Sequence, residues 1–363
     1  MIQAAINRYK RMRTERFLRQ TYQYQYAFVG MGQHSLTNLY PVLHYLGVPL
    51  KYICVTSERK AKLIERKYPN VKAITSLDEI LKDESVKGVF VSALPSAHFS
   101  IASQVLRSGK SLFIEKPPCQ SLEELDELID LQQQHGSPVA IVGLQKRYAP
   151  AVQLLKQRLR KEHLINYDLH YLTGAYPEGN ALLYLYIHPL DLVRYLFGKP
   201  EIIAFRQIAK DSYILILQHP HIVGTLELST AYTWTAAKET LKVCTKSGIY
   251  TLSQMEELIF THTSSTIFGI PMEKLRPRYE TKVIAKRLPP IGTQEFLFQR
   301  NNFTPILMNN QINTQGYYGE IIAFINQVEN RKSDVTTGLK AVRGTYELLQ
   351  ALQSENANGN MSI

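Results

Sequence analysis

Residues 111–118 read Ser-Leu-Phe-Ile-Glu-Lys-Pro-Pro, an apolar run that ends in a carboxylate, an amine and two prolines. Leu112, Phe113 and Ile114 predict a strand buried on both faces of a parallel sheet. Such sheets bind ligands beyond the carboxyl ends of their strands. We therefore expect Lys116 to lie at a ligand site, where a buried amine can hydrogen-bond a substrate oxygen. From this octet alone, a solvent-facing loop is the simpler alternative.

Strands and helices alternate on both sides of this octet, which indicates a sheet built from repeated strand–helix units. The capping box Ser76-Leu-Asp-Glu79 predicts one helix start. The helix after the first strand is expected to begin late, with Asn38 as its N-cap, because Pro41 is tolerated only in a first helical turn. The fold class predicted for this half is α/β, a doubly wound parallel sheet of the Rossmann type. The predicted strands are residues 26–30, 51–55, 71–74, 88–92, 112–114 and 139–143.

A glycine turn directly follows the first predicted strand, where Gly30-Met-Gly-Gln-His-Ser35 gives the pattern G-x-G-x-x-S. Gly30 would permit a tight turn, and Gly32 would let the backbone approach a pyrophosphate. Glycine turns after strands are common, so this motif is weak evidence when taken alone.

The pattern changes after Arg147, where strand-like runs crowd together between residues 202 and 252. Such clustering predicts an α+β domain on a large antiparallel or mixed sheet, whose outer face is free for substrate or dimerisation. Residues 261–312 have little periodicity and are expected to form long loops. Helices are predicted near residues 150–161, 188–197, 317–330 and 339–354. The predicted domains are a basic arm (1–25), a dinucleotide-binding domain (26–145), a substrate and dimerisation domain (146–353) and a flexible tail (354–363).

Composition narrows the class of protein. A chain of 363 residues exceeds the usual size of a single core, so two domains are expected. No apolar run approaches the ~20 residues that a membrane span requires. Cys54, Cys119 and Cys244 are odd in number and far apart, which indicates a reducing, cytoplasmic location and no metal site.

Nearly half of the net charge of +11 lies in the arm, because residues 1–25 hold six basic side chains and one acidic side chain. Ile2, Ile6, Tyr9 and Met12 recur there at roughly helical spacing. A basic amphipathic helix can touch an anionic membrane or nucleic acid, or act as a transit peptide. We prefer a solvated helix packed on its own protein or on a partner subunit, and expect no nucleic-acid partner.

With both halves placed, the sequence resembles the glucose-fructose oxidoreductase/inositol dehydrogenase (Gfo/Idh/MocA) family over roughly residues 26–353. The match is carried by motifs whose order and spacing agree, and Glu115-Lys-Pro117 is the most specific of them. The motifs are Gly30-Met-Gly32, Leu94-Pro-Ser-Ala-His98, Glu115-Lys-Pro117, Gln145-Lys-Arg-Tyr148 and His188-Pro-Leu-Asp191.

The resemblance implies roles for several residues. Lys116 matches the catalytic lysine that binds the reacting oxygen, and His188 matches the acid/base residue. Asp191 matches a position that often contacts substrate, and we expect Arg147 to contact it too. Tyr184 stands where the family usually has an aspartate, so it cannot supply a fixed negative charge, but it can donate a hydrogen bond or a proton.

The resemblance also implies a nicotinamide cofactor. NAD-preferring domains place an acid at the end of the second strand. Here that position is Val55, followed by hydroxyls and by Arg59, which can grip a 2′-phosphate. NADP is therefore favoured over NAD, although Glu58 weakens this argument. The expected cofactor contacts are Gly30, Met31, Gly32, Gln33, Ser57, Arg59, Leu94, Pro95, His98, Glu115 and Lys116.

The function favoured by the resemblance is hydride transfer between a nicotinamide cofactor and a hydroxyl or keto carbon of a sugar, cyclitol or nucleotide sugar. Two alternatives stay open: a redox-neutral, NAD-assisted glycosidase of the same fold, and a non-catalytic NADP-binding regulatory protein. Retention of Lys116 and His188 opposes the regulator, whereas Tyr184 and the basic arm favour it slightly. A homodimer or homotetramer formed through the second-domain sheet is implied as well.

Overall fold

The computed structural model describes residues 2–18, 21–263, 266–267, 270–271, 294–300 and 311–358. Its first half contains the strands β1 (Gln25–Val29), β2 (Leu50–Cys54), β3 (Lys72–Ile74), β4 (Val86–Val91), β5 (Ser111–Glu115) and β6 (Ala140–Gly143). They form one parallel sheet in the order β3-β2-β1-β4-β5-β6, which confirms the predicted fold class. The order reverses between β1 and β4, and ligands bind at such a switch point.

Helices pack on this sheet between successive strands. They are α3 (Glu58–Lys67), α4 (Leu77–Lys82), α5 (Pro95–Arg107) and α6 (Leu122–Gln134), and α1 (Ile2–Leu18) precedes the sheet. The Ser57 hydroxyl caps α3 by accepting a hydrogen bond from the Lys60 amide at 3.3 Å. Ser76 makes no such side-chain bond at the start of α4, so the predicted capping box is not formed there.

The helix after β1 begins earlier than predicted. Residues 33–46 are helical throughout, with a π-helical turn at Ser35–Leu39 that leads into α2 (Tyr40–Leu46). Asn38 lies inside the π turn and is not an N-cap. Pro41 occupies the first turn of α2, as expected, and its missing N–H interrupts the α-helical hydrogen bonds at the point where the wider turn ends.

The second half is built on an eight-stranded mixed sheet. Its strands are β7 (Leu164–Leu172), β8 (Glu201–Ala209), β9 (Ser212–His219), β10 (Ile222–Ser229), β11 (Lys238–Thr245), β12 (Gly248–Ser253), β13 (Glu257–His262) and β16 (Gln294–Gln299). Their order is β16-β13-β12-β11-β7-β10-β9-β8, and only β7 and β10 pair in parallel. The sheet confirms the predicted α+β second half.

The expectation of long loops over residues 261–312 is only partly tested. β13 continues to His262, β16 pairs with it, and β14 (Thr266–Ile267) forms a separate small ladder with β15 (Ile270–Pro271). The prediction of loops is therefore wrong for these strands. Residues 272–293 and 301–310 lie outside the described residues.

The remaining helices cover the inner face of the second sheet and return to the first. They are α7 (Pro150–Leu159), α8 (Ala181–Tyr184), α9 (Ile187–Phe197), α10 (Gln311–Thr314), α11 (Tyr317–Val328) and α12 (Leu339–Asn358). Phe324 of α11 packs edge-to-face on Phe90 of β4, 5.0 Å between ring centroids. Burying such a ring stabilises the fold by about 1.5–3 kcal/mol, so the end of the chain closes the first sheet.

Two outer features complete the fold. The predicted tail (354–363) is helical as far as Asn358, because α12 continues further than expected, and residues 359–363 lie outside the described part. Among the helices that the structure describes, none is both long and apolar enough to cross a bilayer.

Candidate active site

Lys116 lies where the two halves of the chain meet. It follows β5 directly, and its Nζ donates a hydrogen bond to the backbone carbonyl of Tyr184, 2.7 Å away at the end of α8. Burial lowers the pKa of Lys116, the charge of Glu115 opposes this, and the charge of Lys146 lowers the pKa further. An ammonium has three donors, so two remain for a ligand oxygen.

His188 approaches the same place from the first turn of α9. The side chain is only 7% exposed, and its Nδ1 has no hydrogen-bond partner among the described residues. Burial holds the pKa of His188 well below its usual value, and the charges of Lys116 and Lys146 act in the same direction. The imidazole is therefore neutral near pH 7 and has a free nitrogen for a proton.

Lys146 is a site residue that the sequence analysis quoted within a motif but did not single out. It follows β6, forms a buried ion pair with Glu239, and lies 4.7 Å from the centre of the Tyr171 ring. Tyr171 and Glu239 are directly paired across β7 and β11. The available signal was a lysine two residues before Tyr148, at the carboxyl end of a parallel strand.

Arg147 and Asp191 form a buried, hydrogen-bonded ion pair. Arg147 grips Asp191 through two parallel hydrogen bonds, Nε to Oδ2 at 2.7 Å and Nη2 to Oδ1 at 2.5 Å. The Thr345 hydroxyl also donates to Asp191 at 2.7 Å, and both charged side chains are buried. They satisfy each other's charge and join the first half to α9 and α12, and their predicted contact with substrate stays a prediction.

Tyr184 donates a hydrogen bond, as the sequence allows, and its predicted role as a proton donor stays a prediction. Its hydroxyl donates to the Gln120 side chain at 2.8 Å, and Gln120 in turn donates to the Pro95 carbonyl at 3.0 Å. The backbone carbonyl of Tyr184, rather than its side chain, holds Lys116. The hydroxyl is thus committed to linking the two halves.

The glycine turn after β1 is tight on one side and open on the other. Gly30 has φ +87°, and a Cβ there would stand 2.2 Å from the Ser92 carbonyl oxygen at the end of β4. A Cβ on Gly32 would meet nothing within 4 Å. Ser35, which replaces the third glycine of the motif, donates to the Ser92 hydroxyl at 2.9 Å. The turn is therefore fixed to β4 while its outer surface stays accessible.

His98 lies between the loops that follow β4 and β5. It is buried, with Nδ1 2.7 Å from the Pro117 carbonyl and Nε2 3.1 Å from the Ala93 carbonyl. Burial lowers the pKa of His98, against the opposing effect of these carbonyls. His98 therefore links the two loops and positions Lys116, and its predicted contact with the cofactor stays a prediction.

Two further residues, which the sequence analysis did not select, flank Glu115. His34 of the glycine turn lies with Nε2 3.2 Å from Glu115 Oε1. Within the described part of the chain, Glu320 of α11 is fully buried with neither carboxyl oxygen hydrogen-bonded, and burial and then the charge of Glu115 raise its pKa well above the usual value. Glu320 is consequently neutral.

Comparison with known proteins agrees with this geometry. Residues 24–144 match the family model described as "Oxidoreductase family, NAD-binding Rossmann fold" (GFO_IDH_MocA). These residues are thus similar to the NAD-binding domain of the Gfo/Idh/MocA oxidoreductases.

Relatives extend the similarity beyond the Gfo/Idh/MocA domain. An uncharacterised oxidoreductase of Schizosaccharomyces pombe is 29% identical over 53% of this chain and 60% of its own length. Inositol 2-dehydrogenase of Salmonella paratyphi B is 23% identical over 48% of this chain and 54% of its own length. The chain thus spans little more than half of either relative. A dehydrogenase structure from Chromobacterium violaceum has the same fold, with TM-score 0.75 and 18% identity over 93% of this chain and 96% of that one.

The open surface of Gly32 fits the cofactor that a Gfo/Idh/MocA domain binds, because a side chain there would occupy the space that a pyrophosphate needs. Among the other predicted contacts, Gln33 and Leu94 are exposed at this edge of the sheet, whereas Met31 is buried, leaving only its backbone available. No cluster of metal-ligating side chains occurs in the described ranges.

Proposed function

We propose that this chain is an NADP-dependent dehydrogenase or ketoreductase that acts on a hydroxyl or keto carbon. The observation that supports this most is the convergence of Lys116 and His188, which come from different halves and leave donors and one nitrogen unused. Buried polar groups are normally hydrogen-bonded, so groups left free at a strand end indicate a ligand site.

Lys116 and His188 have separate roles in the proposed hydride transfer. When bound, the nicotinamide accepts or supplies the hydride. Lys116 binds the reacting oxygen and stabilises the negative charge that develops on it. His188 accepts the hydroxyl proton during oxidation and returns it during reduction. A base with a lowered pKa is fully unprotonated at neutral pH, so oxidation does not require that His188 first lose a proton.

We infer the substrate class, a sugar, cyclitol or nucleotide sugar, from the named activity of the inositol 2-dehydrogenase relative. A screen of such compounds should show absorbance change at 340 nm with NADP⁺ or NADPH. Product formation without net cofactor reduction would instead favour the glycosidase. Tight cofactor binding without any turnover would favour the regulatory protein.

The proposed preference for NADP depends on the end of β2. Val55 is buried, and Glu58 accepts a hydrogen bond from Thr75 at 2.8 Å, which ties its carboxylate to the segment after β3. Arg59 is exposed and has no ion pair within the described residues. Its guanidinium can therefore meet a 2′-phosphate.

Replacing this guanidinium tests the preference. Arg59→Ala should weaken NADPH binding about tenfold, since a charge-assisted bond contributes roughly 1.5–3 kcal/mol when buried and less at a surface. NADH affinity should stay unchanged, and Lys62→Ala on the same helix is the matched control. Equal affinity of the unaltered protein for NADPH and NADH, measured by fluorescence titration, would contradict the preference.

We also propose that the outer face of the second sheet pairs with a second copy of the chain. The strand register places three exposed aliphatic side chains on this face, one on each of three strands: Ile214, Val223 and Ile249. Exposed apolar side chains grouped on a sheet face can mark an interaction surface. Light scattering of the full chain should give a dimer or tetramer, and Ile214→Glu should shift it toward monomer.

A further inference from the structure

His34 connects the glycine turn to the strand that carries Lys116. Its backbone lies at the start of the helix after β1, and its Nε2 is 3.2 Å from Glu115, the residue before Lys116. The Asn38 side-chain amide lies 3.1 Å from the other ring nitrogen, Nδ1. An amide can donate from its nitrogen or, when turned over, accept at its oxygen, so this contact suits both charge states of the imidazole.

The environment of His34 raises its pKa. Burial lowers the pKa of His34, but the hydrogen bond and charge of Glu115 outweigh it, and the net pKa lies above its usual value. The side chain is still 41% exposed, so protons exchange with solvent. The groups that face this pair from the packed elements are Lys116 after β5, His188 on α9, and Tyr317 and Glu320 on α11.

His34 also lies on the path of the cofactor that the proposed function requires. The pyrophosphate of a dinucleotide binds at the glycine turn, and hydride transfer requires the nicotinamide to reach an oxygen held by Lys116. His34 spans the interval between these two points, from the turn to Glu115. A nicotinamide ring is positively charged only in its oxidised form, so the two redox forms present different charges to this ion pair.

We propose that His34 makes the chain discriminate between the oxidised and reduced cofactor in a pH-dependent manner. This inference rests on the proposed function. A protonated His34 neutralises Glu115 and repels the oxidised ring, whereas a neutral His34 leaves Glu115 free to pair with that ring. Binding of the oxidised cofactor therefore releases the His34 proton to solvent, and binding of the reduced cofactor does not.

Equilibrium binding tests the inference without any turnover. NADP⁺ and NADPH are titrated into the full chain between pH 6 and pH 8.5, and the ratio of their dissociation constants is taken so that titration of the shared phosphates cancels. The ratio of NADP⁺ to NADPH dissociation constants should fall about tenfold over this range, as expected for a shift of one pKa unit. In His34→Gln the ratio should be low and independent of pH.

A matched control and a second measurement keep the test decisive. His44→Gln, on the same helix but without an acidic partner among the described residues, should retain the pH dependence. Calorimetry in two buffers of different ionisation enthalpy should show more protons released with NADP⁺ than with NADPH near pH 7, which needs no variant. A constant ratio, or an unchanged pH dependence in His34→Gln, overturns the inference alone. If neither cofactor binds, the proposed function fails as well.

Discussion

Two cationic side chains leave the same edge of the first sheet and meet the same region of the second half, yet their surroundings differ. Arg147, after β6, has its guanidinium matched to Asp191, which also accepts from Thr345. Lys116, after β5, donates to one backbone carbonyl and lies near His188, whose Nδ1 has no partner in the described chain. We call Arg147 and Asp191 the closed pair, because their hydrogen-bonding groups are matched, and this arrangement suits stability. We call Lys116 and His188 the open pair, because they keep groups available for a ligand, and this arrangement suits chemistry.

The largest effect should come from the open pair. His188→Ala should lower turnover by about 10²- to 10⁴-fold, because it removes general acid–base catalysis. Lys116→Ala should cost at least as much, since it also removes charge at the reacting oxygen. Steady-state kinetics measures both, once the screen has supplied a substrate.

The control for this prediction is that the stability of the fold and the affinity for the cofactor do not change. Thermal unfolding and NADPH affinity of His188→Ala should remain close to those of the unaltered chain, since the removed Nδ1 makes no hydrogen bond to any residue that the structure describes. Full turnover in both variants would show that the reaction is not carried by Lys116 and His188.

The closed pair should show the opposite behaviour. Asp191→Ala should lower the free energy of unfolding by about 3–5 kcal/mol, because it leaves Arg147 charged, buried and unpaired. The matched control is Asp126→Ala, which breaks the bidentate contact to Arg343, where both side chains are about 40% exposed. That loss should stay below about 1 kcal/mol in urea unfolding. Similar losses in the two variants would contradict the distinction between them.

Tyr184 contacts the open pair only through its backbone carbonyl, which accepts a hydrogen bond from Lys116. Tyr184→Phe keeps the carbonyl that holds Lys116 and removes the hydroxyl bond to Gln120. We expect a loss of about 0.5–1.5 kcal/mol in unfolding free energy and nearly full turnover. A loss of turnover equal to that of His188→Ala would restore the tyrosine as a proton donor.

The sequence specified the first sheet more completely than the site. Buried parallel strands read as continuous apolar runs, and each predicted strand of that sheet lies within two residues of the observed one. The end of a predicted strand located Lys116, whereas His188 was found only through the family resemblance. Partners distant in the chain were missed, because the pairing of Arg147 with Asp191 and of Lys146 with Glu239 depends on how helix α9 and strand β11 pack.

The smallest effect concerns removal of the basic arm, which is predicted over residues 1–25. Side chains 2–15 are exposed on α1. Residues 21–24 differ, because the Tyr22 hydroxyl donates to the Leu46 carbonyl at 2.6 Å and the Gln23 amide donates to the buried Glu329 carboxylate at 2.9 Å. The structure therefore moves the boundary of the removable arm from Gln25 to Thr21.

Two truncations test this boundary. A chain that begins at Thr21 should lose less than about 0.5 kcal/mol in unfolding free energy, as for other exposed changes. A chain that begins at Gln25 should lose about 1–3 kcal/mol more, because Glu329 is left with fewer donors in a buried position. Urea unfolding of both chains measures the difference. If the chain that begins at Thr21 already loses several kcal/mol of unfolding free energy or is not expressed in soluble form, α1 is a docking helix. The arm would then stabilise the fold, as the Arg147–Asp191 pair does.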